Sequence, residues 1–98
     1  NTKFSNANNT KIARINDFNE KNFLKINETE IIIRKNNTFY LINLICPHEG
    51  CLVKYNNNSF HCPCHGSKFD NFGKLLMGPS LYSLKKTKLI LFNNEIYK

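Results

Sequence analysis

All four cysteines and two of the three histidines of this 98-residue chain fall in two six-residue stretches, CPHEGC at 46–51 and CPCHGS at 62–67. As ligand spacings, Cys46-x-His48 and Cys62-x-x-His65 put two metal-binding side chains in each stretch and leave Cys51 and Cys64 over, one per stretch. Thirteen residues, 49 to 61, separate His48 from Cys62, enough for an abbreviated hairpin that returns the second stretch beside the first. Three chemistries use residues of these types. A structural zinc ion takes C-x2–4-C and H-x3–5-H pairs that wrap around it; Cys-x-His is unusually close, and zinc leaves two cysteines unexplained. Disulfides alone give the matched histidines no task. A [2Fe–2S] cluster gives both histidines a task with two of the cysteines, because its two irons need four terminal ligands, and leaves one cysteine in each stretch free to meet the other. Cys64 and His65 are adjacent and project differently, so Cys62 is the easier partner of His65.

The surrounding sequence must position these stretches. Short apolar and β-branched segments, KIARI, NFLKI, EIIIR, TFYLINLI, LVKY, SFHC and KLILF, alternate with Asn-rich breaks, the pattern of strands bounded by turns. Asn36-Asn37, Asn56 to Asn58 and Asn93-Asn94 are placed for hairpin turns, since Asn tolerates positive φ. No sustained 3.6-residue repeat occurs beyond a single turn in INDFNEKNF. The expected class is all-β, a small antiparallel sandwich interrupted at 46–80 by Cys, His, Pro and Gly.

A chain of this length makes one domain. Its net charge of +7 comes from lysines spread along the chain, and no nucleic-acid motif accompanies them. The charge therefore reads as a solvated basic surface, able to steer docking to an acidic redox partner. No apolar run is long enough to span a membrane. Residues 1–10 are polar and without hydrophobic period, and the first residue is Asn rather than Met, so this stretch is expected to be a disordered leader or tether ahead of a domain at 11–98.

CPHEGC and CPCHGS, with GPS at 78–80, resemble the Rieske iron–sulfur domain over roughly residues 10–98. The resemblance implies one [2Fe–2S] cluster, with Cys46 and Cys62 on a buried iron and His48 and His65 on the outer, electron-accepting iron. It also implies a Cys51–Cys64 disulfide tying the two loops, as in the high-potential, quinol-oxidising branch. Ser67 stands where that branch places a hydroxyl on a bridging sulfide, and Gly78 and Pro79 match the proline loop that covers the cluster's third side. Two positions depart from the pattern. Phe69 replaces a common tyrosine donor, which is expected to lower the potential and leave Phe69 as core. Glu49 stands where an apolar residue is usual, which favours the oxidised cluster and a protonated His48 and weakens docking in a standard quinol site.

Met77 is expected to pack rather than ligate, His61 to be a surface or half-buried residue, and the tyrosines to be core or sheet surface. The resemblance implies single-electron transfer within a membrane respiratory chain, with a cytochrome or oxidoreductase subunit as partner and quinol as a candidate donor. The alternatives are a carrier for an arsenite-oxidase-like enzyme and a ferredoxin-like donor to an oxygenase. A disulfide points to assembly in an oxidising compartment, hence to an extracytoplasmic domain that meets the membrane only through an anchor outside this sequence.

Overall fold

The structure, a computed structural model, describes Phe4 and residues 8–98. Much of the expected leader at 1–10 therefore lies outside the described residues. Within the described part of that stretch, Thr10 exchanges backbone hydrogen bonds with Lys98 (2.8 and 3.3 Å), and the Phe4 ring stacks on Phe92 at 4.4 Å.

The strands are β1 (Lys11–Arg14), β2 (Phe23–Asn27), β3 (Glu30–Lys35), β4 (Thr38–Asn43), β5 (Lys54–Asn56), β6 (Ser59–His61), β7 (Lys68–Phe69), β8 (Leu75–Met77), β9 (Lys86–Lys88), β10 (Ile90–Phe92) and β11 (Glu95–Tyr97). A single 3-10 turn at Ile15–Phe18 follows β1. Among the described residues there is no α-helix, and the class is all-β as the alternating pattern implies. Every strand pairing is antiparallel, in three sheets ordered β1-β11-β10, β2-β3-β4-β9 and β5-β6-β7-β8.

The Asn breaks turn the chain as expected. Asn36 (φ 56°) joins β3 to β4, Asn57 and Asn58 (51° and 62°) join β5 to β6, and Asn93 and Asn94 (53° and 61°) join β10 to β11. At Asn57-Asn58 and Asn93-Asn94 left-handed φ at both central residues matches the right-handed twist of a tight hairpin, while at Asn36-Asn37 only Asn36 is left-handed.

The β2-β3-β4-β9 sheet is the middle layer. Ile31 and Ile33 on β3, Ile42 on β4 and Leu44 just past it enter one core with Val53, Phe60, Phe69 and Leu84, while Ile32, Phe39 and Leu41 enter a second core with Ala13, Phe18, Leu89 and Ile96. Burial on both faces explains why EIIIR and TFYLINLI are near-continuously apolar rather than alternating.

Two expectations need correction. KLILF is not one strand: Lys88 ends β9 against β4, Leu89 is buried in the second core, and β10 then pairs with β11 in another sheet. The chain changes sheets at Leu89, a corner that apolar continuity conceals. The 46–80 insert, for its part, is built on its own four-stranded sheet, not loops alone.

Candidate metal centre

The two cysteine–histidine loops share one backbone plan. In the first, which joins β4 to β5, the Cys46 amide donates to the Cys51 carbonyl (2.8 Å) and the Gly50 amide to the Cys46 carbonyl (2.9 Å). In the second, which joins β6 to β7, the Cys62 amide donates to the Ser67 carbonyl (2.8 Å) and the Gly66 amide to the Cys62 carbonyl (3.0 Å). Gly50 and Gly66 hold φ of 78° and 82°, which a residue with a Cβ rarely adopts. The matching spacing C-P-x-x-G is thus the sequence of one closed turn used twice.

Within these turns the thiols point inward and the imidazoles outward. Cys46 and Cys62 are free and 1% and 3% exposed, in the same core cluster. Burial pushes the Cys46 thiol up, the neighbouring Cys62 adds to this, and the amides of His48 and Glu49, aimed at the same sulfur, oppose it. Those amides are the donors that a thiolate ligand there needs. The His48 and His65 rings lie 5.1 Å apart, nearly perpendicular at 82°, at the exposed tip. Cys51 and Cys64 form the expected disulfide, which binds the end of the first loop to the middle of the second.

The loop from β8 to β9 closes the third side. Gly78 (φ 110°) lies so near Ser67 that a Cβ on it would stand 2.3 Å from the Ser67 Cα. Ser67 is 1% exposed, and its hydroxyl oxygen accepts the Ser80 amide at 3.0 Å. Among the described residues nothing accepts the Ser67 proton, so this buried hydroxyl keeps a donor to spare.

Glu49 stands between the imidazoles, its carboxylate 3.5 Å from His65 Nδ1 and 4.0 Å from His48 Nε2. Phe69 is fully buried, Pro79 exposed, and His61 half-buried on β6 opposite Lys54 and Lys68. Met77, expected to pack, is 59% exposed at the end of β8, where the chain leaves the sheet for the proline loop. Ser80 carries more of the site than its place in GPS suggests: 3% exposed, it ties the proline loop to Ser67 and turns the chain by bonding Tyr82 through its own hydroxyl.

The donors do not fit one zinc ion. Bonds of about 2.0–2.3 Å bring all four tetrahedral ligand atoms within about 4 Å of one another. Here, among the described residues, no three ligand atoms mixing thiol and imidazole lie within 4.8 Å of one another; His48, Glu49 and His65 group on one side. The sulfur of Cys62 also lies near those of Cys51 and Cys64, but a disulfide has no thiolate to offer. Separate thiol and imidazole pairs, amides on a ligand sulfur and a spare buried hydroxyl fit a two-metal cluster bridged by sulfide.

Fold and site together define an all-β domain that presents a dinuclear centre at its tip. The sequence profile of the Rieske [2Fe-2S] domain matches residues 8–88. The chain belongs to the Rieske [2Fe-2S] domain family and holds one [2Fe–2S] cluster. It is 45% identical over 77 residues to the cytochrome b6-f complex iron-sulfur subunit of Cyanothece sp. (strain PCC 7425), an alignment covering 74% of this chain and 43% of that subunit. The chain thus spans less than half the length of that relative. Its fold matches the cyanobacterial plasma membrane Rieske protein of Synechocystis PCC 6803, with TM-score 0.74, 28% identity, and 91% of this chain and 98% of the other covered. A chain from the complex of oxygenase and ferredoxin in carbazole 1,9a-dioxygenase shares the fold at TM-score 0.66 and 18% identity, covering 91% of this chain and 90% of that one.

Proposed function

We propose that residues 11–98, with the cluster-binding region at 46–80 and residues 1–10 as a leading tether, conduct single electrons in a quinol:cytochrome oxidoreductase-like chain. In this reading Cys46 and Cys62 hold the inner iron and His48 and His65 the outer one. The observation that carries it is the segregation of two buried thiols from two exposed imidazoles across a disulfide-tied pair of matched loops. When bound, a cluster with two imidazoles replacing two thiolates takes up one electron at about −150 to +300 mV, against about −400 mV for plant-type ferredoxins.

The protein's own residues set access and stability. The disulfide and the Gly78–Ser67 contact hold three loops around the thiols, which excludes water from the sulfur side and leaves the imidazoles exposed for electron exchange. The disulfide supports an extracytoplasmic location, and kinship to cytochrome b6-f complex iron-sulfur subunits supports a cytochrome-containing complex as partner; quinol is the donor this reading proposes.

A potentiometric titration followed by visible absorbance and EPR tests this. The expected result is a positive midpoint. A negative one assigns the protein to ferredoxin-like carriers, and a sample that stays colourless after reconstitution with iron and sulfide removes the ligand assignment. A second reading, an accessory carrier for another oxidoreductase, draws on Glu49, whose carboxylate occupies the face a quinol would approach. It predicts turnover insensitive to quinol-site inhibitors.

A further inference from the structure

The lysines are not scattered evenly once the chain is folded. β9 is one edge of the middle sheet, and Lys86 and Lys88 project from it on the face that also carries Tyr40, since Tyr40 pairs with Lys88 and Ile42 with Lys86. The Lys86 Nζ sits over the Tyr40 ring at 5.1 Å, Tyr40 meets Phe72 edge-on at 6.4 Å, and the Lys35 Nζ sits over Phe72 at 4.9 Å. Lys35, Phe72, Tyr40, Lys86 and Lys88 therefore form one continuous strip. The two half-buried rings hold ammonium groups in place while leaving them solvated, since a cation over a ring face is attracted by its quadrupole.

No carboxylate among the described residues lies within ion-pair distance of Lys35, Lys86 or Lys88. Among the described residues the lysine ion pairs are Lys11–Glu95 and Lys98–Glu30, both elsewhere. Asp70, two residues before Phe72, uses its Oδ1 to accept the Phe72 and Lys74 amides at 2.8 and 2.9 Å. Beneath the strip, Phe72 packs against the large core cluster to which Cys46 and Cys62 also belong.

We infer that this strip is the docking surface for the carboxylate-rich face of a protein redox partner. Charge complementarity selects the occupant. An anionic bilayer would draw on apolar side chains that insert, whereas the two rings of the strip lie half-buried under their lysines. The inference rests on the electron-transfer reading but concerns a face separate from the imidazole tip.

The test uses cluster-loaded protein and poly-L-glutamate as probe, with affinity from calorimetry and the footprint from hydrogen-exchange mass spectrometry. The triple variant Lys35→Glu, Lys86→Glu, Lys88→Glu is compared with Lys21→Glu, Lys25→Glu, Lys54→Glu, which makes the same charge change at the opposite edge and on β5. The expected result is about a tenfold loss for the strip variant and less than about threefold for the control, with protection centred on the strip in the wild type. Replacing the three lysines by arginine retains binding, which separates charge from misfolding. Equal losses in both triples, or protection elsewhere, overturn the inference. So does tighter binding to phosphatidylglycerol vesicles or to a DNA oligonucleotide that depends on the same lysines, because it reassigns the face. A protein that keeps its EPR signal and positive midpoint yet fails here loses the docking face and not the electron-transfer reading.

Discussion

Replacing Ser67 by alanine separates two tasks of one hydroxyl. Its oxygen accepts the buried Ser80 amide, so Ser67→Ala leaves that donor unsatisfied and costs about 1–3 kcal/mol in a denaturant melt. Among the described residues its proton has no acceptor, and if it serves the cluster the midpoint falls by about 60 mV, the worth of one charge-assisted hydrogen bond of about 1.5 kcal/mol. A melt that shifts at constant midpoint would confine Ser67 to holding the proline loop. Gly78→Ala is harsher, since a Cβ 2.3 Å from the Ser67 Cα forces the proline loop off the site. Strain at φ 110° and overpacking each cost about 1–3 kcal/mol, and cluster retention on gel filtration should drop with stability. At this scale the two Cys–His stretches stood out because six reactive side chains at fixed offsets have few joint uses, and the disulfide was legible through the family resemblance of CPHEGC and CPCHGS. Ser80 was not, because a serine after Gly-Pro looks like any turn residue until its burial is known.

Elements hold the loops where single residues cannot. The Cys51–Cys64 bridge closes a loop of 13 residues, and its loss in a Cys51→Ala, Cys64→Ala variant should cost about 3 kcal/mol, read from urea midpoints with and without reductant. An unchanged midpoint would mean that Gly50, Gly66 and the loop amides already fix the geometry. At the opposite end, Glu95 stitches β11 to β1. The Lys11 ammonium (2.9 Å) and the Tyr97 hydroxyl (2.9 Å) hold its carboxyl below the ordinary range, and the same Glu95 raises the Tyr97 phenol. The depressed carboxyl contributes stability above its unfolded value, lost as pH falls through the lower folded one. The raised phenol contributes below its unfolded value, lost as pH climbs through the higher folded one. Glu95→Gln should therefore flatten both the acid and the alkaline limb of stability against pH, and a curve still matching wild type at either limb would contradict the pairing. Hairpin positions were readable from Asn pairs because positive φ is a property of the residue itself. The corner at Leu89 was hidden because KLILF stays apolar through it, one core succeeding another, and β7 is two residues long, too short for alternation to register.

The whole molecule puts one middle sheet between two cores, and only one of them reaches the metal. Phe60 is fully buried in the core shared with Cys46, Cys62 and Phe69; Phe39, 1% exposed, is buried in the other with Phe18 and Ile96. Phe60→Leu and Phe39→Leu remove similar volume from equally closed sites, so each should cost about 1–2 kcal/mol of global stability. Their effects on the cluster should differ, since close-packed interiors pass strain to their neighbours and a packed sheet separates Phe39 from the thiols. We expect Phe60→Leu to broaden the EPR signal and speed cluster loss in mild denaturant, and Phe39→Leu to leave both unchanged below its unfolding midpoint. Equal cluster loss in the two variants would show that the layers unfold as one unit and that the middle sheet transmits rather than isolates. Cluster loss in Phe60→Leu at denaturant concentrations where the β1-β11-β10 sheet keeps its hydrogen-exchange protection would establish the metal-bearing layer as a separately opening part of the domain.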